Sequence, residues 1–236
     1  TETKICLVKN DKIIKKILIP SKGKKINILN RHLRKFNFFK IKKILFCSVV
    51  PSTFKELKNY FKKKTQIKCY ELKELNLRSI LKIDVNYKQV GSDRLANAIS
   101  VSVKDKNFVI LDFGTATTFD VLIGKNYKGG IISPGINLSL NTLSDKASLI
   151  PKINLRIMSK VIGKDTKSAV RSGFFWGYAG LIDNILNLIK KETKKSFKVI
   201  ITGGFSKLFK NSIKTQVKQD FDITINGLIK ASKLIK

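Results

Sequence analysis

Asp112-Phe113-Gly114-Thr115-Ala116-Thr117-Thr118-Phe119-Asp120 is the stretch that decides how this chain is read. An apolar run, Phe108 to Leu111, leads straight into an acid, a glycine and three threonines. A strand ending in Asp-x-Gly-Thr presents a carboxylate that can bind a cation, then backbone N–H groups and a hydroxyl that can face phosphate oxygens with no Cβ in the way. The second arm, Thr117 to Ile123, has the composition of a returning strand. The same residues would also suit an ordinary hairpin whose threonines serve β-propensity.

Outward from the hairpin, the pattern alternates strands and helices. Upstream, Thr3 to Val8 and Lys12 to Ile19 read as strands joined at Asn10-Asp11, and Leu29 to Phe39 as a helix with basic faces. Ile44 to Val50 reads as a buried strand stopped by Pro51, with Ser52 capping a helix whose apolar stripe is Phe54, Leu57, Tyr60 and Phe61. A short strand at Lys68 to Tyr70 and a helix over Asp93 to Lys104 follow. Downstream come a strand at Tyr127 to Ser133, a helix over Asn137 to Lys146 opened by Pro134-Gly135, and an irregular stretch to about Lys164. The longest helical pattern runs from Thr166 to about Glu192. Gly173, Gly177 and Gly180 near its start cost about 1 kcal/mol each relative to alanine, so close packing against another element is expected there. A buried strand (Lys198 to Thr202), the Gly203-Gly204 turn, a helix from Phe205, a short strand (Phe221 to Thr224) and a last helix end the chain. Two such blocks predict an α/β protein of two related lobes, 1–104 and 105–236, with a cleft between them. Ligands of such sheets sit at strand carboxyl ends, where Asp112 and Gly203 fall.

Composition narrows the function. The chain has 236 residues, 43% of them apolar, enough for sizeable cores. No apolar run is long enough to cross a bilayer and no signal-like block opens the chain, so a soluble, cytoplasmic protein is expected. Cys6, Cys47 and Cys69 are odd in number and form no C-x-x-C pair, which argues against disulfides and zinc. The formal charge of +32 invites a nucleic-acid reading, but 42 Lys stand against 6 Arg and are spread along the whole chain. Base and phosphate readers favour arginine. The excess is read as genomic bias, giving weak, salt-sensitive association with nucleic acid and no specific site. His32, the only histidine, lies in a basic segment and supports neither a Ser-His-Asp triad nor a His-metal centre. The Asp112-Phe113-Gly114 triplet is shared with protein kinases, but their other motifs are absent.

Six motifs in register carry a family resemblance over nearly the whole chain. They are Ser48-Val49-Val50-Pro51, Gly91-Ser92-Asp93-Arg94-Leu95-Ala96-Asn97, the Asp112 to Asp120 run, Gly129-Gly130 through Pro134-Gly135-Ile136, Ile162-Gly163-Lys164-Asp165-Thr166 with Ser172-Gly173-Phe174, and Thr202-Gly203-Gly204. The chain resembles type III pantothenate kinases. The resemblance implies the acetate and sugar kinase, heat-shock-70 and actin fold with two ribonuclease-H-like lobes. It also implies a homodimer and ATP-dependent phosphorylation of pantothenate in coenzyme A synthesis. A monovalent cation (K+ or NH4+) beside the nucleotide, and Mg2+ with it, are implied as well. By residue, Asp93 matches the catalytic base, Gly91, Ser92, Asp93 and Arg94 the substrate-binding segment, Asp112 the cation ligand, Thr115 an ATP contact and Thr166 a pantothenate contact.

Those roles agree with what the residues can do. Phosphoryl transfer needs alignment and charge neutralisation more than covalent help. Asp93 can take the proton of a primary hydroxyl and Arg94 can bind an anionic group bidentately. Read as plain structure, Asp93 is a helix N-cap and Arg94 a surface ion pair. Tyr87 is either a wall of the substrate pocket or a core tyrosine, and Gly203-Gly204 either admits an adenosine or makes a tight turn.

The family opens with a strand ending in Asp-x-Gly-Asn-Thr and a nearby lysine. Thr1-Glu2-Thr3-Lys4 fits the tail of that motif and would supply ATP contacts, with Asp-x-Gly-Asn expected upstream of Thr1. A polypeptide without that strand is expected to phosphorylate pantothenate poorly, and restoring it to restore the rate. The alternatives are a non-catalytic pantothenate-binding relative, as a pseudo-kinase or transcriptional accessory factor, and a basic nucleic-acid-binding protein.

Overall fold

The computed structural model describes residues 2–20, 31 and 40–235. In chain order its strands are β1 (Glu2–Lys9), β2 (Lys12–Pro20), β3 (Lys43–Phe46), β4 (Lys68–Glu71), β5 (Lys82–Ile83), β6 (Asn107–Phe113), β7 (Ala116–Ile123), β8 (Asn126–Pro134), β9 (Lys198–Gly203) and β10 (Val217–Gln219). Its helices are α1 (Pro51–Lys64), α2 (Ser92–Val101), α3 (Ile136–Lys146), α4 (Thr166–Thr193), α5 (Ser206–Phe209) and α6 (Ile223–Ser232). The helix expected over Leu29 to Phe39, with His32, lies outside the described residues apart from Arg31, and so does Thr1. Among the described residues no helix is long and apolar enough to cross a membrane.

The chain divides into two compact units, 1–102 with 222–236, and 103–221. In the first, β1 and β2 form an antiparallel hairpin. Its turn places Asn10 and Asp11 at φ 51° and 60°, the doubly left-handed turn whose twist matches a hairpin and which Asn and Asp tolerate. Ile5, Leu7, Ile17 and Ile19 of the hairpin pack in one cluster with Phe61 of α1 and with Ile44 and Phe46 of β3. Strands β3 and β4 pair in parallel across α1, the expected βα unit.

Two details of that unit differ from the sequence reading. Strand β3 stops at Phe46, because beyond it the Ser48 hydroxyl donates to the Val50 carbonyl (3.1 Å) and accepts the Val50 N–H (3.2 Å), closing a local turn where a ladder would run. Ser52 is not the cap of α1. The helix starts two residues earlier than a Ser52 cap would allow, with Pro51 in its first positions and Val50 as an N-cap without a side-chain bond; proline suits that place because the N–H it lacks has no intrahelical partner there.

The last helix belongs with the first unit, whereas the sequence reading runs the second lobe through residue 236. Gly227 of α6 lies so close to Ala96 of α2 that a Cβ there would overlap the Ala96 carbonyl. Thr224 donates to Asn97 (2.7 Å), and Lys230 and Lys43 cap the carbonyls of Ser102 (2.7 Å) and Ser232 (2.7 Å) at the two helix ends. These bonds join residues more than 100 positions apart in the chain, which is why the local pattern does not reveal the arrangement.

The second unit is built on a sheet in which β6, β7 and β8 form an antiparallel meander, and β9 then β10 extend it in parallel on the free side of β6. Phe119, Leu111 and Ile201 of the strands are fully buried against Phe175 and Ile182 of α4. Phe209 stacks on Phe113 (5.4 Å, 10°) and on Phe175 (5.5 Å, 21°), joining strand to helix through offset aromatic contact. Helix α4 opens on a capping box of Asp165 and Ser168. Its three glycines do not pack as expected. A Cβ on Gly173, Gly177 or Gly180 would meet nothing within 4 Å, and with Trp176 they lie on an exposed face.

Candidate active site

Gly91 to Arg94 with Tyr87 form one cluster in the first unit and Asp112 with Gly203 and the Gly114-Thr115 turn another in the second, while Glu2 to Lys4 and Thr166 stand apart from them. In the first, Gly91 is the N-cap of α2 and Asp93 stands in its first turn. Asp93 Oδ1 accepts the backbone N–H of Arg94 at 2.8 Å. The carboxylate folds back over Gly91 so closely that a Cβ there would stand 2.5 Å from Oδ1. Glycine leaves that space without moving the carboxylate, a physical reason for glycine two residues before Asp93. Asp93 and Arg94 are half-buried, and Ser92 between Gly91 and Asp93 is buried. A carboxylate and a guanidinium thus stand on consecutive residues of one helix start, where the N-terminal backbone favours negative charge.

Around them lie residues the sequence reading did not single out. Ser92 donates to Glu71 Oε1 (2.6 Å), and Lys73 Nζ donates to the carbonyls of Lys88 (3.1 Å) and Val90 (3.0 Å). The Cys47 thiol is pushed well above its usual pKa by burial first, then by the charges of Asp93 and Glu71. Glu71 could have been noticed through the Glu71-x-x-Glu74 spacing of a capping box.

Tyr87 donates its hydroxyl to the Lys73 carbonyl (2.9 Å) and lies under the Lys73 ammonium (5.3 Å to the ring centroid). Burial, then the Glu71 charge, raise its pKa. Its polar end therefore serves the framework, and what remains for a ligand is the ring. On the β1–β2 hairpin, Lys4 reaches Asp222 at 3.6 Å while Lys16 grips the same carboxylate at 2.5 Å. Thr3 is half-buried opposite Ile19, and Glu2 opens β1 opposite Pro20.

In the second unit, Asp112 is the next-to-last residue of β6, opposite Thr118 on one side and Thr202 on the other. Gly203 has φ +85°, and a Cβ there would stand 2.7 Å from Asp112 Oδ1 and 2.5 Å from the Phe113 carbonyl oxygen. Gly204 donates its N–H to that same carbonyl (3.1 Å). The hairpin turn Gly114-Thr115 is exposed, its Gly114 N–H bonded to the Ala116 carbonyl (3.0 Å), and Gly135 at the start of α3 presses against the Thr115 carbonyl with no room for a side chain. Carboxylate and carbonyl oxygens suit a hard cation, and two glycine-lined backbone turns suit a phosphate or a sugar. Among the described residues no group of three or more His, Cys, Asp or Glu is placed to hold a metal ion.

Thr166 stands apart from Asp112 and Thr115 in the chain, exposed at the first position of α4. Its neighbour Asp165 has a lowered pKa, held down first by the Ser168 backbone N–H and then by the Ser168 hydroxyl.

The family model of type III pantothenate kinase matches residues 1–188. The chain belongs to the type III pantothenate kinase family. A type III pantothenate kinase of Pelagibacter ubique is 63% identical over 239 residues, covering 100% of this chain and 96% of that relative. One from Maricaulis maris is 37% identical over 84% of this chain and 78% of that relative. Among solved structures, a Campylobacter jejuni protein described as a conserved Baf-family transcriptional activator matches with a TM-score of 0.63 at 22% identity, over 93% of this chain and 90% of that one. An Arthrobacter inorganic polyphosphate/ATP-glucomannokinase matches with a TM-score of 0.50 at 12% identity, over 99% of this chain and 93% of that one. At such identities the structural matches speak for the fold alone. They agree with an actin-like ATPase architecture, the one the pantothenate kinase motifs imply.

Proposed function

We propose that this chain transfers the γ-phosphoryl group of ATP to the primary hydroxyl of pantothenate, giving 4'-phosphopantothenate and ADP for coenzyme A synthesis. The observation that carries the reading is the Asp93 carboxylate, held at the start of α2 by the Arg94 N–H and given space by Gly91. Asp93 Oδ takes the hydroxyl proton as the oxygen bonds to phosphorus and the bond from phosphorus to the ADP oxygen breaks. A carboxylate is a weak base for an alcohol, so that proton moves late, when the oxygen has already become acidic. Arg94 binds the pantothenate carboxylate, with Gly91, Ser92, the Tyr87 ring and Thr166 as further substrate contacts.

For the nucleotide the reading takes Thr115 as one contact and Thr1, Glu2, Thr3 and Lys4 as others, with Mg2+ accompanying the phosphates. Asp112 would hold a monovalent cation, K+ or NH4+, which supplies fixed positive charge beside the phosphates. The reading sets the reaction in the cytoplasm, in keeping with the free thiols of Cys6, Cys47 and Cys69. It includes a homodimer in which a second copy covers the α4 face of Gly173, Trp176, Gly177 and Gly180, since small residues at helical spacing let backbones approach closely. It includes no specific nucleic-acid site.

The test is pantothenate-dependent ADP formation by the full-length protein, with 4'-phosphopantothenate identified by mass and rates compared in K+ and Na+. Product that forms only with ATP, and faster in K+, supports the reading. Pantothenate binding without product would make the chain a ligand-binding relative instead.

A further inference from the structure

We infer that the turn at Leu72–Glu74, with the preceding Glu71, is the device that fixes the reacting carboxylate, and that Glu71 and Lys73 are positioning residues for Asp93. The inference rests on Asp93 as the base.

The turn is braced before it touches the site. Glu71 Oε2 accepts the Lys73 N–H (2.5 Å) and Glu74 Oε2 accepts the Glu71 N–H (3.2 Å), so both halves of a capping box are closed on a single helical turn. From that turn, four bonds reach the segment that ends in Asp93. Glu71 Oε1 accepts from Ser92, Lys73 Nζ donates to the carbonyls of Lys88 and Val90, and the Lys73 carbonyl accepts from Tyr87. The segment is thereby held at Tyr87, Lys88, Val90 and Ser92, at nearly every second residue up to the one beside Asp93.

Division of labour within Glu71 makes it the pivot. One carboxylate oxygen holds its own turn and the other holds the start of α2, so the turn's rigidity passes to the helix through a charge-assisted bond. Ser92 is only 3% exposed, and without an acceptor its hydroxyl would be buried unsatisfied. Because Ser92 and Asp93 are consecutive, a displacement of Ser92 displaces the carboxylate. None of these bonds involves a residue of β1 or of the Asp112 hairpin. The brace should therefore set the rate of transfer while leaving ATP binding alone. A displacement of about 1 Å at a reacting group costs on the order of 100-fold in rate.

The experiment measures kcat and the KM for ATP of the full-length protein and of Glu71→Gln, Ser92→Ala, the double variant and Asp93→Asn. Glu71→Gln keeps the size of the side chain and an acceptor oxygen, so folding is preserved while the charge-assisted bond is weakened. The expected result is a fall of about 10- to 100-fold in kcat for Glu71→Gln and for Ser92→Ala, an ATP KM within about twofold of wild type, and a double variant no worse than either single one, as members of one linkage are non-additive. Full kcat in Glu71→Gln, additive losses, or a loss confined to the ATP KM would overturn the inference. Asp93→Asn separates the two claims. If it is inactive while Glu71→Gln is fully active, the brace fails alone; if Asp93→Asn itself keeps full activity, the reading of Asp93 fails.

Discussion

A Cβ on Gly203 would stand 2.7 Å from the Asp112 carboxylate, so the end of β9 and the end of β6 approach each other with only a hydrogen between them. The φ of +85° at Gly203 adds a backbone reason for glycine. Gly203→Ala must strain this turn or push Asp112 aside. The expected cost is about 1–3 kcal/mol of stability, read by urea unfolding, together with a higher K+ requirement for activity. An unchanged unfolding midpoint and unchanged K+ response would mean that the turn relaxes freely and that Asp112 has no part in cation binding.

A second close approach tests how α6 is held in the first unit. Gly227→Ala places a methyl against the Ala96 carbonyl, and separating two packed helices costs about 1–3 kcal/mol. Denaturant unfolding should show the loss; a neutral substitution would mean that α6 is not docked on α2 as closely as described.

The sequence patterns reveal β6 to β9 closely, but they place the last strand at Phe221 to Thr224, where the structure has a turn running into α6; the strand is β10 at Val217–Gln219, and the helix expected from Phe205 is only Ser206–Phe209. The hairpin expected over Phe108 to Ile123 spans Asn107 to Ile123, and the long helix expected from Thr166 to about Glu192 ends at Thr193, because alternation, glycine punctuation and helical spacing are local signals. What the patterns leave hidden depends on distant partners. The docking of α6 rests on Gly227 meeting Ala96, and the Glu71 brace on a bond across 21 positions. Ser52 looks like a cap in the sequence, but Pro51 takes the start of the helix. The glycines of α4 suggest packing, but among the described residues nothing lies within 4 Å of a Cβ placed on them.

That open face yields a prediction. Gly177→Glu introduces a charge where a second copy is proposed to lie, and should convert a dimer to a monomer in sedimentation analysis. A monomeric wild-type protein, or a variant that remains dimeric, would remove α4 from the interface.

Asp165 gives a prediction in pH. Its carboxyl is held below its ordinary value of 3.8 by Ser168, so the folded state binds the proton less well than the unfolded one. The stabilisation is fully present above that ordinary value and fades as pH falls through the lower folded value. The difference in melting temperature between wild type and Asp165→Asn should therefore be largest near neutrality and shrink below about pH 3.8. A difference independent of pH would show that the cap does not depend on the charge.

The most direct test of the account is kcat for pantothenate-dependent ADP release by Asp93→Asn, measured with the nucleotide affinity of the same preparation. A general base contributes about 100- to 10,000-fold. The variant should fall by that amount while binding ATP as wild type does; a kcat near that of wild type would contradict the assignment of Asp93 and the mechanism built on it.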